Sequence, residues 1–214
     1  MLKALRLRAH KFGSETDGSM SVETVLIFPL LLWFYLSTFT YFDAYRAQST
    51  NIKATYTIAD AISRELNGVD AAYLKTMHEL LHFLNNSAHN MRMRVTVFTR
   101  DPDDDNKLVL RWSCRYGNGG AGFLKHTQTT LEGMDALIPP SPKPDELVMV
   151  ETFIDYAPPF SARLFDDEVP ADGMLESGNS GGLMIGLSPT TFNNVVVSRP
   201  RSVNQVKLQD GNCA

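Results

Sequence analysis

From Thr24 to Phe42 the chain reads TVLIFPLLLWFYLSTFTYF, without a formal charge between Glu23 and Asp43. As a helix rising about 1.5 Å per residue, this run spans about 29 Å, close to the hydrocarbon thickness of a bilayer. A helix in a soluble core carries polar residues every third or fourth position. Here, after Thr24 at its edge, none comes before Ser37, so the run predicts a membrane-spanning segment. A removable secretory signal has an apolar stretch of only about 7–15 residues, followed by a small-x-small cleavage site. The residues after this run instead keep a helical period, with Ile52, Tyr56, Ala59 and Ile62 three or four apart. One long helix is expected from Ser19 to Asn67, ending at Gly68.

The flanks give an orientation. Lys3, Arg6, Arg8 and Lys11 stand before the span against Glu15 and Asp17. That basic flank predicts a cytoplasmic N-terminus and an extracytoplasmic C-terminal part. Trp33, Tyr35, Tyr41 and Tyr45 add aromatic weight to the span, although Trp33 sits centrally for an interface residue. Over the whole chain, 24 acidic side chains against 20 basic ones give a net charge of −4. No nucleic-acid footprint is expected from that balance.

Beyond Gly68 the period changes. Leu74, Met77, Leu81 and Leu84 share one face of a helix from Asp70 to Asn86, with Asp70 able to cap its start. Residues 91–100 alternate Met91, Met93, Val95 and Val97 against Arg92, Arg94, Thr96 and Phe98. Residues 107–116 alternate Leu108, Leu110, Trp112, Cys114 and Tyr116 against polar neighbours. Strands are also expected at 146–158 and 191–199, with one short helix around Gly122–Leu137. The long stretch Pro158–Pro189, with Gly178, Gly181 and Gly182, reads as a loop. The expected fold class is α+β: a long N-terminal transmembrane helix, then a small antiparallel sheet packed with one or two helices. Three segments follow: a basic cytoplasmic leader (1–18), the long helix (19–67), and a periplasmic domain (68–214).

Two residues at the membrane junction are physically odd. Glu23 places a carboxylate at the mouth of the apolar segment, where it is costly without a partner. Pro29 lies inside the helix, where it removes a backbone hydrogen bond. The basic leader followed by Gly18-Ser19-Met20-Ser21-Val22-Glu23, then Leu26 and Pro29-Leu30-Leu31, resembles the TadE/TadG-like family of tight-adherence (Flp) pilus assembly proteins. It is also similar to the general type IV prepilin arrangement. The resemblance implies cleavage between Gly18 and Ser19 by a membrane prepilin peptidase, which makes Glu23 the fifth mature residue. Glu23 would then pair with a free N-terminal amine and set helix register during assembly. Prepilins usually carry Phe or Tyr at the first mature position, and Ser19 departs from that. Tyr156-Ala-Pro-Pro-Phe160 and Arg199-Pro200-Arg201 extend the resemblance along the chain. It implies an inner-membrane pseudopilin without cofactors that works by assembly rather than catalysis, with other pilins and the pilus machinery as partners.

Three further features call for readings of their own. Cys114 and Cys213 would lie in an oxidising compartment. Pairing them closes a loop of about 100 residues, worth up to about 4–5 kcal/mol in the chain-entropy model. His78-Glu79-Leu80-Leu81-His82 is a literal H-E-x-x-H, which on a helix puts two imidazoles one turn apart beside a general base. The competing enzyme reading is therefore a membrane-anchored zinc protease using His78, Glu79 and His82. Against it, the extended zincin spacings hold Asn85 and Ala88, and His89 falls one residue off. The Asp101–Asp105 cluster suggests calcium but has Asn106 at the turn glycine and Trp112 at the twelfth position, so it reads as a solvated turn. A third class is an unprocessed membrane-tethered scaffold or adhesin, which would keep Met1–Gly18.

Overall fold

The computed structural model describes residues 19–85, 90–101, 107–119, 122–134, 138, 146–160, 162–163, 184–185, 187–201, 205–209 and 213. The leader with Gly18, the residues Ala88 and His89, most of the Asp101–Asp105 cluster with Asn106, Leu137, and Gly178, Gly181 and Gly182 lie outside them. The chain forms two compact units. Of the described residues, one unit comprises 19–43, 158–160, 162–163, 184–185 and 187–188, and the other comprises the rest. The division falls inside the first helix, α1 (Ser19–Ser63), rather than at its end.

The apolar run makes α1 a helix that continues through Pro29. Two of its hydroxyls bond back to the helix itself: Thr38 Oγ1 donates to Phe34 O at 2.8 Å and Thr40 Oγ1 to Leu36 O at 2.9 Å. The helix stops at Ser63, four residues before the expected Asn67. The cause is tertiary. Arg201 N–H donates to Ser63 O at 2.8 Å, taking a terminal carbonyl of the helix, and the last turn tightens through Arg64 N–H to Ala61 O. Gly68 then reverses the chain at φ 82°, so that Val69 forms a parallel bridge with Leu208. In the second helix, α2 (Ala71–Asn85), Asp70 caps the start as expected, accepting from Tyr73 N–H at 2.6 Å.

Strands β1 (Met91–Arg100), β2 (Leu108–Tyr116) and β3 (Glu146–Tyr156) flank a short helix α3 (Gln128–Glu132), which carries a Thr127 capping box. In the other unit, β4 (Ala162–Arg163) pairs antiparallel with β5 (Met184–Ile185), a small ladder inside the expected loop. Strand β6 (Thr190–Ser198) closes an antiparallel sheet of order β2-β1-β3-β6.

One face of the sheet carries Met91, Met93, Val95 and Val97 of β1 with Val148, Val150 and Ile154 of β3. These pack with Ala54, Ile58 and Ile62 of α1 and Leu74 and Leu81 of α2. On the other face, Phe98, Leu108, Leu131, Leu147 and Met149 cluster at one end. The expected single face for Leu108, Leu110 and Trp112 is thus corrected. A bulge leaves Val97 opposite Trp112 and Phe98 opposite Leu110, so Arg111 is an extra residue. One extra residue sends everything beyond it to the opposite face.

Gly117 ends β2 at φ 99°, and a Cβ there would lie 2.3 Å from Met91 O and 3.1 Å from His78 Nε2. Gly117→Ala combines backbone strain with a backbone clash. It is expected to cost at least about 2 kcal/mol, read as a lower urea midpoint of the full chain at unchanged slope. An unchanged midpoint would mean that the turn relaxes freely.

Candidate functional site

Glu23 begins the second turn of α1 and shares a helix face with Ile27 and Leu31; together with Thr24 and Phe28 they line a shallow groove. Pro29 supplies no N–H, so the carbonyl of Val25 lacks its i+4 donor. Around this face the helix is apolar on every side, and little of it is covered. Its large side chains from Val22 to Tyr35 are between 43% and 71% exposed. A helix that is apolar all round ordinarily belongs in a core or in lipid. By length and composition α1 is long and apolar enough to cross a membrane. Ser19 is its first residue.

The H-E-x-x-H segment lies on α2. Leu74 and Leu81 are buried, Met77, Leu80 and Leu84 pack against them, and the histidines sit at the edge of that stripe. His78 Nε2–H donates to Met91 O at 3.1 Å. The His78 and His82 rings meet edge to face, with centroids 4.8 Å apart. Burial, then the neighbouring His78, pushes the pKa of His82 down. Glu79 is exposed. Among the described residues no three of His, Cys, Asp and Glu group as a metal site. Elsewhere, Cys114 and Cys213 are joined as a disulfide, with Cα atoms 5.5 Å apart.

The network that sequence reading missed lies on the face of the sheet away from α1. Glu151 is a carboxylate at the centre of an otherwise apolar stretch of β3, with Arg94 directly opposite on β1 and Arg115 opposite Arg94 on β2. Arg94 grips Glu151 with two hydrogen bonds, Nε to Oε2 at 2.6 Å and Nη2 to Oε1 at 2.8 Å. His126 Nε2–H donates to Glu151 Oε2 at 2.8 Å, and both side chains are almost fully buried. Burial alone would raise the pKa of Glu151. The hydrogen bonds and positive charges of His126 and Arg94 outweigh it and hold the carboxyl below its ordinary value.

The remaining donors hold the irregular segment before α3. Arg94 Nη1 donates to Leu124 O at 2.8 Å and Arg115 Nη1 to Phe123 O at 2.5 Å. The Phe123 ring meets Phe153 at 5.4 Å, and the Arg92 and Arg94 guanidiniums stack near both rings. Arg92 is in turn paired with Asp155. An acid at the centre of an otherwise apolar stretch of β3 and two arginines at alternate positions of its neighbour were the available signals, because a buried charge requires a partner. The pairing itself needed the register. Its chemistry is that of a closed clamp: each donor named here ends on a carboxylate or a carbonyl. On the helix-facing side, Thr55 and Thr152 hydroxyls lie 2.7 Å apart, and Thr152 Oγ1 donates to Asn51 Oδ1, which fixes α1 against β3.

No family model, curated protein or solved structure matches this chain.

Proposed function

We propose that the chain is a minor pseudopilin-like assembly protein of a tight-adherence (Flp) type pilus machine, held in the inner membrane by α1 with its sheet domain in the periplasm. The carrying observation is one continuous helix whose first half exposes apolar side chains on every side and whose second half packs into a folded domain. That is the form required of an element that first resides in lipid and then packs against other helices. The Gly18-to-Leu31 resemblance supplies the rest of the reading. The prepilin peptidase removes residues 1–18, the new amine at Ser19 meets Glu23 of its own or a neighbouring chain, and the buried pair selects register. Pro29 bends or softens the segment between them and the domain. The disulfide supports a periplasmic placement, since such bonds persist in oxidising compartments.

The test is the N-terminal sequence and intact mass of the protein recovered from its native membrane. A start at Ser19 is expected. A start at Met1 overturns the processing step and leaves a fixed anchor or scaffold as the better description.

A further inference from the structure

The apolar run of α1 ends in aromatics. Phe39, Tyr41 and Phe42 occupy its last turn before Asp43 and remain exposed. Phe39 has a neighbour from far along the chain. The Phe160 ring, in the segment after β3, meets it edge to face with centroids 5.9 Å apart. Both residues belong to the same compact unit. Phe39 is nevertheless 47% exposed and Phe160 48%, so about half of each is left for a further contact.

The chain around Phe160 suits an apolar surrounding. No formal charge stands between Asp155 and Arg163. Pro158 and Pro159 carry no N–H, so the backbone leading to Phe160 brings two fewer donors that would be stranded away from water. Beside it on α1, Thr38 already donates its hydroxyl to Phe34 O and does not need water as an acceptor. Depth follows from the helix rise. Phe39 lies four residues before Asp43, which in an upright helix sets it about 6 Å deeper than that carboxylate. Interfacial apolar side chains sit about 5–10 Å into the boundary between headgroups and acyl chains. A ring held against Phe39 reaches the same layer.

We propose that Pro158–Phe160 makes a second contact with the lipid bilayer, seating the Phe160 ring beside Phe39 among the headgroups and upper acyl chains at the C-terminal end of the α1 span. This contact rests on α1 spanning the membrane, as in the proposed function, and goes beyond it by placing a second, sequence-distant segment in lipid. Lipid is the occupant because the exposed surface of Phe160 continues the apolar surface of the span: a bilayer that takes in Phe39 takes in the ring packed on it. The chain is thereby tied to the membrane surface at the segment after β3 as well as through α1.

The experiment uses the full chain in phosphatidylcholine vesicles. Cys114 and Cys213 are paired, so a nitroxide can be attached to one new thiol at a time. The three sites are Phe160→Cys, Trp33→Cys inside the span, and Phe83→Cys on α2 as an exposed reference. The ratio of oxygen to nickel-chelate collision rates should be highest at position 33, lowest at 83, and at least about twofold higher at 160 than at 83. Phe160→p-benzoylphenylalanine keeps an aromatic ring at the site, and irradiation should give adducts one phospholipid heavier. A high ratio at 33 with equal values at 160 and 83, and no phospholipid adduct at 160, overturns the proposal and leaves the span standing. A low ratio at 33 overturns the span and the proposal with it. Adducts that join two chains and are undiminished by added lipid would make a second copy the occupant, which also overturns the proposal.

Discussion

Replacing Glu151 by Gln is expected to lower the stability of the sheet domain by about 3–5 kcal/mol, the usual cost of leaving one member of a buried ion pair uncompensated. The carboxylate receives two hydrogen bonds from Arg94 and one from His126, and its side chain is 3% exposed. Gln offers a single acceptor oxygen and no charge, so the Arg94 guanidinium stays buried without its counter-ion. The readout is urea unfolding of the full chain followed by the fluorescence of Trp112, which lies on β2. Replacing both partners with apolar residues, Arg94→Met with Glu151→Leu, should recover much of the loss, because removing a whole buried pair is often neutral. Acid gives an independent check. A carboxyl held below its ordinary pKa in the folded state contributes stability above its unfolded pKa and loses it as pH falls through the folded value. The Glu151→Gln chain should therefore show a flatter decline in stability below about pH 5. A loss under about 1 kcal/mol with an unaltered acid limb would show that the network is solvated in practice.

Removing the disulfide is expected to cost nearly as much. Cys114 and Cys213 are 99 residues apart, and opening so long a loop forfeits up to about 4–5 kcal/mol in the chain-entropy model. The bond also ends a seam that ties the C-terminal tail to the domain. Val206 N–H donates to Glu146 Oε2 at 2.9 Å, Trp112 Nε1–H to Val206 O at 2.8 Å, and Gln209 N–H to Val69 O at 2.9 Å. In Cys114→Ala with Cys213→Ala, the urea midpoint should fall. Amide exchange at Val69 and Gln209 should rise before exchange in β1 and β3 does. An identical midpoint with and without reductant would mean that the seam alone holds the tail.

Local pattern decided the parts of this protein that depend on local chemistry. The charge-free run made α1, the alternation of Met91 to Phe98 made β1, and Asp70 began α2 where a side-chain cap was available. The odd residues Glu23 and Pro29 were visible because a charge and a proline conflict with an apolar helix at sight. Tertiary structure decided what depends on residues distant in sequence. Arg201 ended α1 at Ser63, one bulge at Arg111 turned Leu108 and Leu110 to the other face, and strand order set Arg94 opposite Glu151 and left β6 at an edge. Periodicity reports which face of an element is apolar. It carries no information on which element, dozens of residues away, will satisfy a buried charge or a terminal carbonyl, because that partner is chosen by register and packing after the chain has closed.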